Sequence, residues 1–176
     1  MKMTVEKEVT VTLEEARKQV EIAARRIALL HLAYAKVLVE EFGEERGRKL
    51  ILKAIKEYGI RIGEKIERGE QDLPDYGVHE RIEWVETNGE KRVRAYGCVL
   101  AKEWREWGED SLGRLYCHVD PAKSMSIDPM EKVGHIKAIP DGDEYCELAF
   151  RPTTEKERKD FADKEADWEY IDKIIE

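Results

Sequence analysis

RIEWVETNGEKRVRAY, residues 81–96, is where the chain changes its period. Asn88-Gly89 at its centre is a strong two-residue hairpin signal, because a type I′ turn needs residues that tolerate positive φ. Counting outward from that turn pairs Glu86 with Lys91, Trp84 with Val93, Glu83 with Arg94 and Ile82 with Ala95. The register is self-consistent. Ile82, Trp84, Val93 and Ala95 share an apolar face, while Glu83 complements Arg94 on the other.

Upstream of the hairpin the period is helical. Thr12 and Glu15 form a capping box, after which Val20, Ala23, Ala24, Ile27, Leu30, Tyr34 and Leu38 recur at three- and four-residue steps as far as Gly43. The spacing predicts a second helix over 44–67, with Ile51, Ile55, Tyr58, Ile62 and Ile66 on one stripe and Gly59 and Gly63 permitting close approach of a neighbour. The short glycine-containing connection implies an antiparallel pair. The segment QDLPDYG, residues 71–77, then ends the helical part.

Downstream, Leu100, Trp104 and Trp107 mark a short helix before Gly108, and a further helix is expected from Ser111 to about Asp120, stopped by Pro121. A second hairpin turns at PDGD and joins a strand over 132–139 to one over 144–150, whose Cys146, Leu148 and Phe150 alternate onto the apolar face. A capped helix from Thr154 to about Ile175 closes the chain, docking through Phe161, Trp168, Ile171 and Ile175. The expected class is α+β: one domain over 1–176, with a long antiparallel helical hairpin at 12–70, an antiparallel sheet of about four strands with short intervening helices at 78–152, and a C-terminal helix at 153–176.

Composition narrows the function. The 31 basic and 39 acidic residues leave a net charge of −8, which repels phosphate backbones, so nucleic acid is not an expected partner. No apolar run approaches bilayer length and the first twelve residues lack the apolar core of a signal peptide, so the reading is a cytoplasmic protein without a membrane partner. Three widely spaced cysteines, at 98, 117 and 146, suit reduced thiols. Charged residues make up 40 % of the chain against a usual ~25 %. One Asn and two Gln make amides scarce, and together these are the marks of a thermophile's surface.

The chemistry concentrates in LYCHVDPAKSMSIDPMEKVGHIKAIPDGDEYCELAF, residues 115–150, which holds two of the three cysteines and two of the four histidines. On a helix over 111–120 the apolar stripe is Leu112, Leu115, Tyr116 and Val119, and Cys117 points away from it by more than a quarter turn. Cys117 is then either a site residue or a small apolar filler covered by another element. Asp120 lies on an adjoining face, whereas His118 is about 100° away and cannot serve as the thiol's own base. A neighbouring carboxylate at a helix C-terminus disfavours the thiolate, and only Arg114 pulls the other way, so any activating group must come from elsewhere in the fold, with His135 one candidate. Asp120 reads as a base, as a grip for an amidinium, or as an Asp-Pro turn residue. Cys146 reads by default as core, His31 as a core histidine, and His79 has no assigned role. Cys98, Cys117, His118 and Cys146 are soft enough ligands for zinc, but no CxxC or HxxxH spacing is present, so no cofactor is expected and the metal stays open.

Cys117, Asp120, Pro129, Gly142, Asp143 and Cys146 form a Cys-x-x-Asp element followed by a Pro, a strand and a Gly-Asp-x-x-Cys element. This pattern resembles the core motif of the L-2-amino-thiazoline-4-carboxylic acid hydrolase family, and the helical lead-in from Arg26 is similar to that of its members. The resemblance implies a hydrolase acting on C–N bonds of a small cyclic amidine or thiazoline, adding water at the carbon between nitrogen and sulfur to give a carbamoyl-cysteine. It implies catalytic roles for Cys117, Asp120 and Cys146 and a substrate-binding role for Asp143; Arg114, His118 and His135, outside the matched positions, are read from the residues themselves as substrate-binding candidates, with His118 or His135 also as the acid or base. The alternative is a non-catalytic small-molecule sensor of vinyl-reductase-like type, with a broadly similar helix-plus-sheet layout. A third reading is a homodimer formed through the helical hairpin.

Overall fold

The computed structural model of the protein describes residues 10–73 and 76–175. The first nine residues, read above as lacking a signal-peptide core, lie outside this range, as do two residues of the 71–77 segment.

Helix α1 spans Leu13–Phe42 and starts at the expected capping box, with Glu15 N donating to Thr12 Oγ1. Gly43, with φ of 78°, reverses the chain in one residue into α2, Glu44–Glu67. The buried stripe of α1 is Ala24, Ala28, Leu32 and Ala35, so the helix is rotated from the expected face; Leu30 and Tyr34 are exposed. Helix α1 is apolar on two faces, and its neighbours select the alanines because small side chains let α3 approach. Trp104 accordingly sits against α1, its Nε1 donating to Ala28 O at 3.4 Å.

Strands β1 (Arg81–Thr87) and β2 (Glu90–Tyr96) pair in the expected register, Glu86 opposite Lys91 and Ile82 opposite Ala95. Strands β3 (Glu131–Lys137) and β4 (Cys146–Pro152) complete an antiparallel sheet in the order β1-β2-β4-β3. One face packs against the helices. The other carries ion pairs: Glu147, almost fully buried, accepts from Arg92 at 2.8 Å and Arg94 at 2.6 Å. Phe150 and Trp84 lie past the edge of the helical cover and stack on each other, ring centroids 5.9 Å apart, both exposed.

Between the hairpins lie α3 (Val99–Glu106), α4 (Asp110–Arg114), a 3₁₀ turn (Leu115–His118) and α5 (Val119–Ile127). The expected helix over 111–120 is thus two helices joined by the turn, and Pro121 does not stop it. Pro121 is the third residue of α5, where the backbone N–H has no partner in the helix, so proline costs no hydrogen bond there. Gly59 and Gly63 of α2 do face a close neighbour: a Cβ on Gly59 would stand 2.5 Å from Ala122 Cβ of α5.

The C-terminal helix is shorter than expected. Helix α6 spans Glu155–Ala162, followed by irregular chain and a 3₁₀ turn at Glu169–Ile171. The carboxylates of Asp163 and Asp167 accept from the backbone N–H of Glu165 and Glu169, local turns that compete with helix. The chain then lies along β3, His135 N donating to Asp172 O and Ile174 N to His135 O. Gly134 permits this contact, since a Cβ there would stand 2.5 Å from Asp172 O. Ile174, not Ile175, is the buried residue. Among the described residues no helix is long and apolar enough to cross a membrane.

Candidate functional site

The inward face of the sheet, α2, α3 and the Leu115–Ile127 region surround a cavity of about 250 Å³. Its wall is mostly apolar, with Val93, Leu148, Trp104, Tyr58 and Tyr116, and its polar points are Cys98, Cys117, Cys146, Asp120, Lys123 and His135. A larger groove of about 890 Å³ runs along α2 beside Phe161 and Trp168 and takes in Pro129 but none of the marked cysteines, histidines or carboxylates.

Strand alternation delivers two of these groups. Cys146 and Leu148 share the inward face of β4, and His135 stands opposite Leu148 on β3. The tight 3₁₀ turn delivers a third, by rotating side chains about 120° per residue and so bringing Cys117 to the cavity beside Tyr116. Asp120, on the first turn of α5, reaches the wall with its carboxylate 3.8 Å from Lys123 Nζ; that ammonium also pairs with Asp72 at 2.5 Å. All three cysteines are free thiols.

His135 Nδ1 lies 2.8 Å from Asp172 Oδ1, and Asp172 Oδ2 accepts from Arg114 Nη2 at 2.5 Å. Both His135 and Asp172 are almost wholly buried. Burial works to lower the His135 pKa, but the Asp172 charge and hydrogen bond overcome it, with a further hydrogen bond to Cys146, and raise it to about 10. Burial works to raise the Asp172 pKa, and the charge and hydrogen bond of His135 with Arg114 hold it well below the usual carboxylate range. The pair is therefore ionic at neutral pH. Burial pushes the Cys98 thiol up to about 11. It pushes Cys117 well above the ordinary thiol range as well, with Arg114 pulling the other way. Cys146 Sγ accepts from the backbone N–H of Ile139 at 3.4 Å.

Of the residues marked in the sequence, Cys117, Asp120, His135 and Cys146 come together on this cavity. Arg114, His118 and Asp143 do not line it. Arg114 stands behind it, tied to Asp141 and Asp172. His118 faces the other core, edge-on to Trp168, its ring nitrogens 3.2 Å and 3.1 Å from the carbonyls of Leu115 and Glu169. Burial lowers its pKa. Asp143 shapes the PDGD turn, accepting from Ala138 N at 2.9 Å. Asp172, Lys123 and Tyr58 are residues of the site that the sequence did not mark as such, and Cys98 was marked only as a possible zinc ligand. Asp172 lies 37 positions beyond His135, in a segment whose periodicity reads as helix, and only its place beside two buried apolar isoleucines hinted at burial. Among the described residues no group of three or more His, Cys, Asp or Glu side chains is placed to hold a metal ion.

A sequence model of the L-2-amino-thiazoline-4-carboxylic acid hydrolase family matches residues 21–150. The chain belongs to that family. The match spans every residue on the cavity wall and stops short of Asp172. No curated protein matches the chain. Among solved structures the chain is similar to the phenol-responsive sensory domain of the transcription activator PoxR with phenol, at 15 % identity and a TM-score of 0.47, over 80 % of this chain and 82 % of that one.

Proposed function

We propose that the cavity takes a small cyclic amidine of the thiazoline-carboxylate type and opens it by net addition of one water. The observation that carries this reading is the convergence of Cys117, Asp120, His135 and Cys146 on one 250 Å³ cavity within the span matched by the hydrolase family. An amino-thiazoline carboxylate bears an amidinium and a carboxylate. Asp120 is the wall's grip for the first and Lys123, beside it, for the second. The water oxygen ends on the ring carbon between nitrogen and sulfur. The C=N π pair goes to nitrogen, which takes a proton, and the C–S bond breaks with its electron pair on sulfur, which is protonated in turn. The product carries a carbamoyl group on nitrogen and a free thiol. Asp120 takes the proton from water, and His135, kept charged by Asp172, supplies one to the departing sulfur.

The test is incubation with L-2-amino-thiazoline-4-carboxylate at neutral pH, following appearance of a product heavier by one water. Asp120→Asn should lower the rate by about 10²- to 10⁴-fold, while Glu45→Gln, on the distant surface of α2, should leave it unchanged. Loss of the ring in neither wild type nor variants would remove this substrate class. A second reading, a binding domain without turnover, draws on the aromatic wall and the neutral state of Cys98 and Cys117. Saturable binding of the same compound with the ring intact after prolonged incubation would select it.

A further inference from the structure

We infer that Cys146, not Cys117, is the nucleophile of this cavity, activated by the His135–Asp172 pair, and that ring opening passes through an isothiourea held on the Cys146 sulfur. The inference rests on the proposed hydrolase reading for its electrophile, but the activated thiol is a property of the protein alone.

Three features of geometry separate Cys146 from its two neighbours. It stands diagonally across from His135 on the adjoining strand, a spacing that long side chains bridge, and both residues line the cavity. Its sulfur accepts from the Ile139 backbone N–H at 3.4 Å, a donor that favours negative charge at that atom. The imidazole is in turn fixed from behind by Asp172 Oδ1 at 2.8 Å, and Asp172 by Arg114 at 2.5 Å and by its backbone pairing to His135. Nucleophile, base and orienting carboxylate thus stand in the order that nucleophilic catalysis requires, on a sheet strand, its neighbour and the segment that covers it. Cys117 has the cationic neighbour Arg114, but it stands on the 3₁₀ turn and not on a strand beside His135, and its thiol is pushed above the ordinary range.

The groups that face this pair from every packed element are Asp172 and Arg114 behind it, Asp120 and Cys117 from the α5 side, and Cys98 ahead of α3. Two of the three charges are carried in the Asp172–Arg114 pair and the third is Asp120, so His135 is the cation that faces Cys146.

The chemistry balances in two steps. The Cys146 thiolate adds to the amidine carbon, the ring C–S bond breaks, and the departing sulfur takes the proton from His135, leaving an S-linked isothiourea. Water, losing its proton to Asp120, then adds to the same carbon while the C=N pair goes to nitrogen; the C–S bond to Cys146 breaks with its electron pair returning to Cys146, the hydroxyl proton passes to that nitrogen, and Asp120 returns its proton to His135. One water is consumed, and neither oxidant nor reductant is needed.

The experiment has a reagent arm and a substrate arm. Iodoacetamide labelling of the folded chain at neutral pH, mapped by peptide mass, should modify Cys146 at least ~10-fold faster than Cys98 or Cys117, because the thiolate is the reacting form. In Asp172→Asn, which retains a side chain able to hydrogen-bond the imidazole, the midpoint of the labelling rate against pH should rise, a shift that mere loosening of the fold would not produce; far-ultraviolet circular dichroism confirms folding. Acid quench of Asp120→Asn with L-2-amino-thiazoline-4-carboxylate should trap an adduct of one substrate mass on the Cys146 peptide. Cys146 labelled no faster than the other two thiols overturns the inference, as does wild-type turnover by Cys146→Ala with the hydrolase reading left standing. Selective, Asp172-dependent labelling without any ring opening upholds the activated thiol and removes the hydrolase reading for this substrate.

Discussion

Two buried histidines, His118 in the 3₁₀ turn against Trp168 and His135 on β3 at the cavity, are driven apart in charge by their surroundings. His118 touches only neutral partners, two carbonyl oxygens and the Trp168 ring, and burial lowers its pKa against the more distant charge of Asp172. His135 meets a carboxylate that is itself held by Arg114, and stays charged at the same depth. Depth of burial is thus not what makes a histidine chemical. The difference is direct contact with one buried charge, supplied by the C-terminal segment, and it separates a residue that fastens the fold from one at the cavity.

The harshest way to break this contrast is to remove that charge. Asp172→Ala leaves His135 without its anion and Arg114 with Asp141 alone, and loss of one partner from a buried ion pair costs about 3–5 kcal/mol, measurable by equilibrium denaturation. Asp172→Asn, which keeps the hydrogen bond, should cost less. A Cβ on Gly134 meets Asp172 O at 2.5 Å, so Gly134→Ala should displace the C-terminal segment at a cost of about 1–3 kcal/mol and lower the His135 pKa. His118→Gln should cost only about 1–2 kcal/mol, without altering the thiol chemistry of the cavity.

The pH dependence sharpens the same contrast. The folded His135 pKa lies near 10 against about 6.5 unfolded, so its stabilisation is full below the lower value and lost as pH rises through the higher. Asp172 is shifted down, and its contribution is present above about 3.9 and lost in acid. His118 is shifted down as well, so its sign is opposite to that of His135, and protonating it below about 6.5 works against folding. Imidazole NMR at pH 7 should therefore show one charged and one neutral ring for this pair of residues.

The sheet was legible because its hairpin is local: Asn88-Gly89 sets the register, and alternation then assigns every face from Ile82 to Ala95. Cys146 was legible by the same alternation. Cys117 reached the cavity by a route the sequence conceals, since a helix and a 3₁₀ turn place the same residue on different faces. Asp172 was illegible for a different reason. Its partner is a distant strand reached through Gly134, and helical spacing over 155–175 masked two carboxylate turns that end the helix. Neither alternation nor capping patterns report contacts of that range.

The measurement that bears most directly on the charged side of this contrast is turnover of L-2-amino-thiazoline-4-carboxylate, followed by ¹³C NMR at neutral pH in parallel for wild type, Asp120→Asn and His118→Gln. The account predicts that wild type and His118→Gln convert the ring carbon to a carbamoyl carbon at similar rates, with Asp120→Asn slower by about 10²- to 10⁴-fold. A ring signal unchanged in the wild type, or equal rates in wild type and Asp120→Asn, would contradict it.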